Sequence, residues 1–246
     1  MRHHRKLLVI SVCAASALLA APAAAQALTV YAAASLRDAF PAINRSPSYN
    51  FGGSNILQLQ IQRGAPADVF ASASAAEPQA LFREGRCTRP VTFATNRLVL
   101  LVPARNPAHI RSVYSLRRGG LRLSVGTPGV PVGAYTRKVL TRMRLSKVLS
   151  INRVSQEPNV AQITSKVALG SADAGFAYVT DARAVAGKVR AISLPLWAQP
   201  PVRYGICAVK RPGANTAGAQ AFIRQVTSNR GRRTLKRFGF GLPPRG

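Results

Sequence analysis

The sequence predicts an α/β protein assembled from strand–helix units. Three observations carry that expectation. Short β-like runs alternate with helical stretches along the chain after residue 27. Strand ends run into small residues and then into helix-capping positions. Hydrophobic residues make up 47 % of 246, enough for a real core, while charged residues make up only 17 %.

Strands are expected at 28–33, 68–72, 97–102, 121–125 and 174–178. Helices are expected at 35–43, 55–62, 75–84, 132–142, 159–169 and 216–227. The alternation favours mostly parallel sheets. Prolines 103, 107, 128, 131, 200 and 201 mark loops or helix starts, and no repeat or low-complexity tract stands out after residue 27.

The charge balance is unusual. Lys and Arg total 35 against 7 acids, a formal net charge of +28. Such a field attracts nucleic acid, anionic lipid, wall polymer or small anions. The basic residues are scattered, however. Arg230, Arg232 and Arg233 form the densest cluster, and no basic run is interleaved with aromatics. That argues against a specific nucleic-acid platform. Three histidines, His3, His4 and His109, are too few for a His-rich metal site and disfavour a Ser-His-Asp triad. The acids Asp38, Asp68 and Asp181 form no recognisable acid/base pair, so no enzyme and no cofactor are expected.

Residues 1–27 read as a secretory signal. Arg2, Arg5 and Lys6 supply the charged start, 7–21 the apolar run, and Ala25-Gln26-Ala27 a small-residue cleavage site. Cleavage would remove three basic residues and leave a net charge of +25. The apolar run has signal length, and it is the chain's only long one, so a polytopic membrane protein is excluded. Cys13 would leave with the signal. Cys87 and Cys207 remain, and in an oxidising compartment they either pair or stay as two buried thiols.

Four strand-to-helix turns stand out. Ser35 with Asp38 three positions on reads as a capping box. In Phe51-Gly-Gly-Ser54, Ser54 opens a helix after glycines that permit close backbone approach. Pro131 suits the first position of a helix. Glu157-Pro158-Asn159-Val160 opens another. Singly, each is an ordinary cap. Converging, such helix starts would make an anion site without a cationic side chain.

Seven motifs then occur in order: Val30-Tyr-Ala-Ala-Ala-Ser35-Leu, Phe51-Gly-Gly-Ser54, Gly64-Ala-Pro-Ala-Asp68-Val-Phe-Ala-Ser72-Ala, Asn96-Arg-Leu-Val-Leu-Leu-Val-Pro103, Val130-Pro-Val-Gly133-Ala-Tyr135, Ala172-Asp-Ala-Gly-Phe-Ala-Tyr178-Val-Thr-Asp181 and Phe238-Gly-Phe240. As an ordered set over nearly the whole chain after residue 27, they resemble the periplasmic molybdate-binding proteins of ABC transporters. The resemblance implies a two-lobed type II periplasmic binding fold with a ligand cleft between the lobes. It implies one oxyanion, molybdate or tungstate, as ligand, with molybdenum or tungsten entering only as that ion. Ser35 and Ser54 would donate hydroxyl and backbone N–H from one lobe. Val132 and Val160 would donate backbone N–H from the other, and Tyr178 its phenol. The implied partner is a membrane permease, and the implied state is a monomer outside the cytoplasm. The alternatives are a receptor for another oxyanion such as sulfate, or a secreted basic protein that binds polyanions.

In this fold the chain crosses twice between lobes. The prolines place the crossings near Pro103 and Pro200. Lobe one is then 28–103 plus 200–246, and lobe two is 104–199. The segment between Ser35 and Ser54 is short for the family, where the resemblance implies a longer first helix.

Overall fold

The computed structural model describes residues 27–243. The signal-sequence reading of residues 1–27 therefore lies almost wholly outside the described residues. Among the described residues, no helix is long and apolar enough to cross a membrane.

The strands are β1 (Thr29–Ala33), β2 (Ser48–Gly52), β3 (Val69–Ser72), β4 (Val91–Asn96), β5 (Leu98–Pro103), β6 (Arg122–Gly126), β7 (Arg153–Glu157), β8 (Ala174–Tyr178), β9 (Val189–Ser193) and β10 (Val202–Ala208). The helices are α1 (Ala39–Ile43), α2 (Ser54–Gln62), α3 (Ala76–Arg83), α4 (Pro131–Arg142), α5 (Val148–Ile151), α6 (Val160–Ala168), α7 (Val179–Ala184), α8 (Thr216–Thr227) and α9 (Asn229–Arg237).

Two five-stranded sheets result, ordered β2-β1-β3-β10-β4 and β7-β6-β8-β5-β9. Each begins as a parallel trio built by strand–helix crossovers: β1 pairs with β2 and β3, and β6 with β7 and β8. Each is completed by antiparallel strands, β10 and β4 in the first, β5 and β9 in the second. The sheets are thus mixed rather than mostly parallel. The antiparallel members are the strands that carry the chain between lobes.

The first crossing falls at Arg97, between β4 and β5, not near Pro103. Because β5 pairs with β8 and β9, residues 98–103 belong to the second lobe. The chain returns through residues 194–201 into β10. One side chain pins both crossings together. Gln199 Oε1 accepts from the Leu98 N–H at 3.0 Å, and Gln199 Nε2 donates to the Leu98 carbonyl at 2.8 Å.

Helices cover both faces of each sheet. In the first lobe, Phe40 of α1 meets Phe222 of α8 edge-on at 5.4 Å and Phe93 of β4 at 5.8 Å. On the other face, Leu57 and Ile61 of α2 and Leu81 of α3 bury against Tyr31, Phe70 and Cys207. The helix expected at 35–43 is shorter than read: a 3-10 turn, Ala34–Leu36, comes first, and α1 has only five residues. In the second lobe, Ile163 and Val167 of α6 pack over Gly175 of β8. A side chain at 175 would collide with both, so glycine lets the helix lie close to the sheet.

The few acids are used internally. Asp68 is 1 % exposed and accepts from the Thr29 N–H, the Asn215 N–H and Arg211 Nη2, at 2.9, 2.9 and 2.8 Å. It ties the first strand to the segment that enters α8. Glu157, Asp173 and Glu84 pair with Lys166, Arg122 and Arg86. Breaking a buried pair leaves an uncompensated charge and costs about 3 kcal/mol or more. Asp68→Ala is expected to lower the melting temperature by roughly 10 °C, measured by calorimetry.

Candidate functional site

A small cavity lies between the lobes. Its lining includes Ser35, Ser54, Val132, Val160 and Tyr178, so the five residues named from the sequence meet at one place. No Lys, Arg, His, Asp or Glu lines it. The wall is made of neutral groups.

Three helices point their N-termini at this cavity. Ser54, Val132 and Val160 stand at the first or second residue of α2, α4 and α6. N–H groups in a first turn have no partner within their own helix, and they form the positive end of the helix dipole. Pro131 starts α4, spending the position where a donor is least useful. The Asn159 side chain caps α6 by accepting from the Gln162 N–H at 3.1 Å. Gly133 lets α4 pack tightly on the preceding loop, since a Cβ there would stand 2.0 Å from the Thr127 carbonyl oxygen.

The two serines differ from the caps expected of them. Ser35 is not an N-cap and Asp38 makes no capping bond. Ser35 lies inside a short 3-10 turn, Ala34–Leu36, and its Oγ is 2.9 Å from Tyr204 Oη. A partner 169 residues away won over the local cap. Ser54 is the first helical residue after the cap Gly53, and its Oγ accepts from the Ala73 N–H at 3.1 Å. An oxygen that already accepts leaves its own hydrogen for the cavity.

Tyr204 orients Ser35, and the sequence reading missed it. Asn96 Oδ1 accepts from the Arg97 N–H at 2.9 Å, which fixes the amide so that Nδ2 donates. Asn96 Nδ2 donates to Thr180 Oγ1 at 3.0 Å and to Tyr204 Oη at 3.3 Å. Tyr204 Oη, receiving that bond, shares with Ser35 Oγ a hydrogen bond in which either hydroxyl can donate. The same contact holds Ser35 in the cavity wall. Burial pushes the Tyr204 ionisation far up, so the phenol keeps its proton. Phe240 of the Phe238-Gly-Phe240 motif packs edge-on against Tyr204 at 5.3 Å. The only signal for β10 was its Val-Arg-Tyr-Gly-Ile-Cys-Ala pattern after two prolines.

Tyr178 ends β8, 1 % exposed and 6.0 Å from the Tyr204 ring. Its hydroxyl is buried without a hydrogen-bond partner. A buried polar group is normally satisfied, so a donor left over on a cavity wall implies a missing acceptor. Burial, above all, and neighbouring Tyr204 hold its proton on.

The lobes touch at backbone level beside the cavity. A Cβ on Gly53 would stand 2.2 Å from the Pro158 carbonyl oxygen of the other lobe. Asn55 crosses the same seam, its amide 3.2 Å from the place a Cβ on Gly129 would take. Burial raises the ionisation of Tyr135 on α4, and Glu77 of lobe one adds to the rise. Asp68, by contrast, is remote from the cavity, while Asp181 stands behind it and accepts from the Tyr178 N–H at 3.1 Å.

A concave site between two lobes, framed by helix N-termini and neutral hydroxyls, defines a binding protein for a small anion. The chain belongs to the family of bacterial extracellular solute-binding proteins, whose family model matches residues 28–241. It is 39 % identical over 229 residues to the molybdate-binding protein ModA of Mycobacterium tuberculosis, covering 89 % of this chain and 86 % of that one. It is 30 % identical over 237 residues to ModA of Haemophilus influenzae, covering 89 % and 91 %. The fold matches the periplasmic molybdate-binding protein of Azotobacter vinelandii with a TM-score of 0.77, at 24 % identity over 88 % of this chain and all of that one. It also matches the sulfate-binding protein SubI of M. tuberculosis with a TM-score of 0.73, at 18 % identity over 87 % and 86 %.

Asp181 makes a further prediction. Burial lifts its carboxyl to about 7, with Asp38 adding to the rise and the N–H groups of Tyr178 and Asp181 opposing it. The folded state therefore binds a proton that the unfolded state has released above about pH 4. That contribution to stability is lost as pH rises toward 7. Denaturant unfolding of the wild type should show this decline between pH 4 and 7. Asp181→Asn should remove it.

Proposed function

We propose that the protein is an extracytoplasmic receptor that captures molybdate or tungstate between its lobes and delivers it to an ABC transporter permease. The observation that carries this reading is the neutral cavity where three helix N-termini meet the buried, unpartnered Tyr178 hydroxyl. The molybdate-binding relatives support the same ligand. In this reading the leader formed by residues 1–27 is removed on export, and the mature chain acts alone, without a cofactor.

Molybdate at neutral pH is a tetrahedral dianion that carries no proton. It needs donors and offers only acceptors. Ser35 and Ser54 supply hydroxyl and backbone N–H from lobe one, Val132 and Val160 supply backbone N–H from lobe two, and Tyr178 supplies its phenol. Hydrogen phosphate carries a proton that an all-donor wall leaves unpaired, so it is rejected. Sulfate is proton-free but smaller, and donors fixed on two closed lobes stand too far apart for it. A charge removed from water must be fully hydrogen-bonded. Neither lobe has enough donors alone, so the ion stabilises the closed form, and the permease reads closure.

Calorimetry on the exported protein tests this. Molybdate and tungstate should bind tightly and one to one, with sulfate weak and phosphate silent. Tight sulfate binding would instead make it a sulfate receptor. Ser35→Ala and Ser54→Ala should each weaken molybdate by about tenfold or more, from one charge-assisted bond of roughly 1.5–3 kcal/mol. Gly53→Ala should act on closure rather than on donors. Its methyl meets the Pro158 carbonyl, so affinity should fall by at least about tenfold. X-ray scattering of this variant at saturating molybdate should keep a larger radius than the wild type.

A further inference from the structure

Cys87 and Cys207 are both fully buried, as free thiols, in the cluster of apolar residues under α2 and α3. They come from segments 120 residues apart in sequence, yet they share one short stretch of ladder. Cys87 pairs antiparallel with Val209. The Thr88 N–H donates to the Ala208 carbonyl and the Lys210 N–H to the Arg86 carbonyl, both at 2.8 Å, which fixes this register on either side. Val209 and Cys207 are two residues apart on one strand and face the same side. Cys87, opposite Val209, therefore faces that side too, as the diagonal neighbour of Cys207. The nearby Cys87 and burial together push the Cys207 thiol's ionisation up. Cys87 Sγ donates to the carbonyls of Pro78 and Thr88, at 3.4 and 3.2 Å.

We infer that Cys87 and Cys207 form an intramolecular disulfide in the exported protein. The family's extracellular setting supplies the oxidising surroundings. The bond forms while the chain folds, because both thiols are sealed from solvent afterwards. One cysteine thiolate attacks a disulfide oxidant, a thiol–disulfide oxidoreductase or a small disulfide such as oxidised glutathione, giving a mixed disulfide. The second thiolate displaces the oxidant's sulfur. Two protons and two electrons leave the cysteines, and the oxidant departs as its dithiol or as two thiols.

The bond has a definite architectural effect. The closed loop runs from the end of the α3 segment, through both lobe crossings and the entire second sheet, to β10. It therefore fixes in lobe one both the exit and the return of the chain that builds lobe two. A loop of about 120 residues lies in the length range where a cross-link most restricts the unfolded chain. The lining of the ligand cavity includes neither cysteine. It should stabilise the fold and leave ion binding alone.

The test uses the full chain, exported with its own leader from a host with an oxidising periplasm and purified without reductant. It is denatured, treated with iodoacetamide before or after reduction, and peptide-mapped. The expected result is one peptide pair joined through Cys87 and Cys207, with both residues alkylated only after reduction. The wild type should also melt roughly 10 °C higher without reductant than with it. The Cys87→Ser/Cys207→Ser variant should melt at one temperature in both conditions, keeping a folded control. Full alkylation of both cysteines before reduction, or a bond joining two chains, would overturn the inference. Neither outcome depends on which ion the cavity takes.

Discussion

A carbonyl oxygen from one lobe stands where any residue but glycine would put a side chain on the other. The contact between Gly53 and Pro158 brings the two lobes together at backbone level, and Gly53 itself lines the cavity. Gly53 is the cap of α2, and Pro158 lies directly before the Asn159 cap of α6. The close approach thus brings two helix N-termini face to face. Backbone geometry, more than any side chain, shapes the proposed anion site.

The fold holds these ends in place through the strands that cross between lobes. Asn96 closes β4 and Leu98 opens β5, with only Arg97 between the two sheets. Such a short link permits rotation but little translation. Gln199 joins the return segment to Leu98, and Asn96 joins lobe one to Thr180 at the start of α7. Tyr204 on β10 then links Asn96 to Ser35. The residues that join the lobes therefore also hold Ser35 in the cavity wall. Asp181, under Tyr178, connects the same region to α7 by accepting the Tyr178 N–H.

Much of this was legible in the chain, for local reasons. Pro131 and Asn159 mark the starts of α4 and α6 through first-turn chemistry, and Gly-Gly-Ser54 marks that of α2. The strands β3, β5 and β8 are near-continuous apolar runs, as central strands are. The failures came where distant residues decide. Ser35 and Asp38 fit a capping box, but Tyr204 holds the hydroxyl in a different role. β2, β9 and β10 carry polar or interrupted patterns, since β2 and β9 are edge strands and β10 follows two prolines. Proline 103 suggested the first crossing, yet the sheet change occurs at Arg97. The partner that a strand chooses is a tertiary fact, invisible to periodicity.

The charge distribution follows the same division between local and long-range effects. Seven acids serve a chain with 35 basic residues, and those acids are mostly committed to ion pairs, serine hydroxyls or buried turns. The surface is left strongly positive, while the cavity wall holds no charged side chain at all. A cation in the wall would bind any anion of either protonation state and blur the choice made by neutral donors. A positive exterior acts at a distance, is screened by salt, and raises the local concentration of anions without favouring one over another. Attraction and selection are therefore carried by different residues. The exterior can change in composition without altering which ion the site accepts.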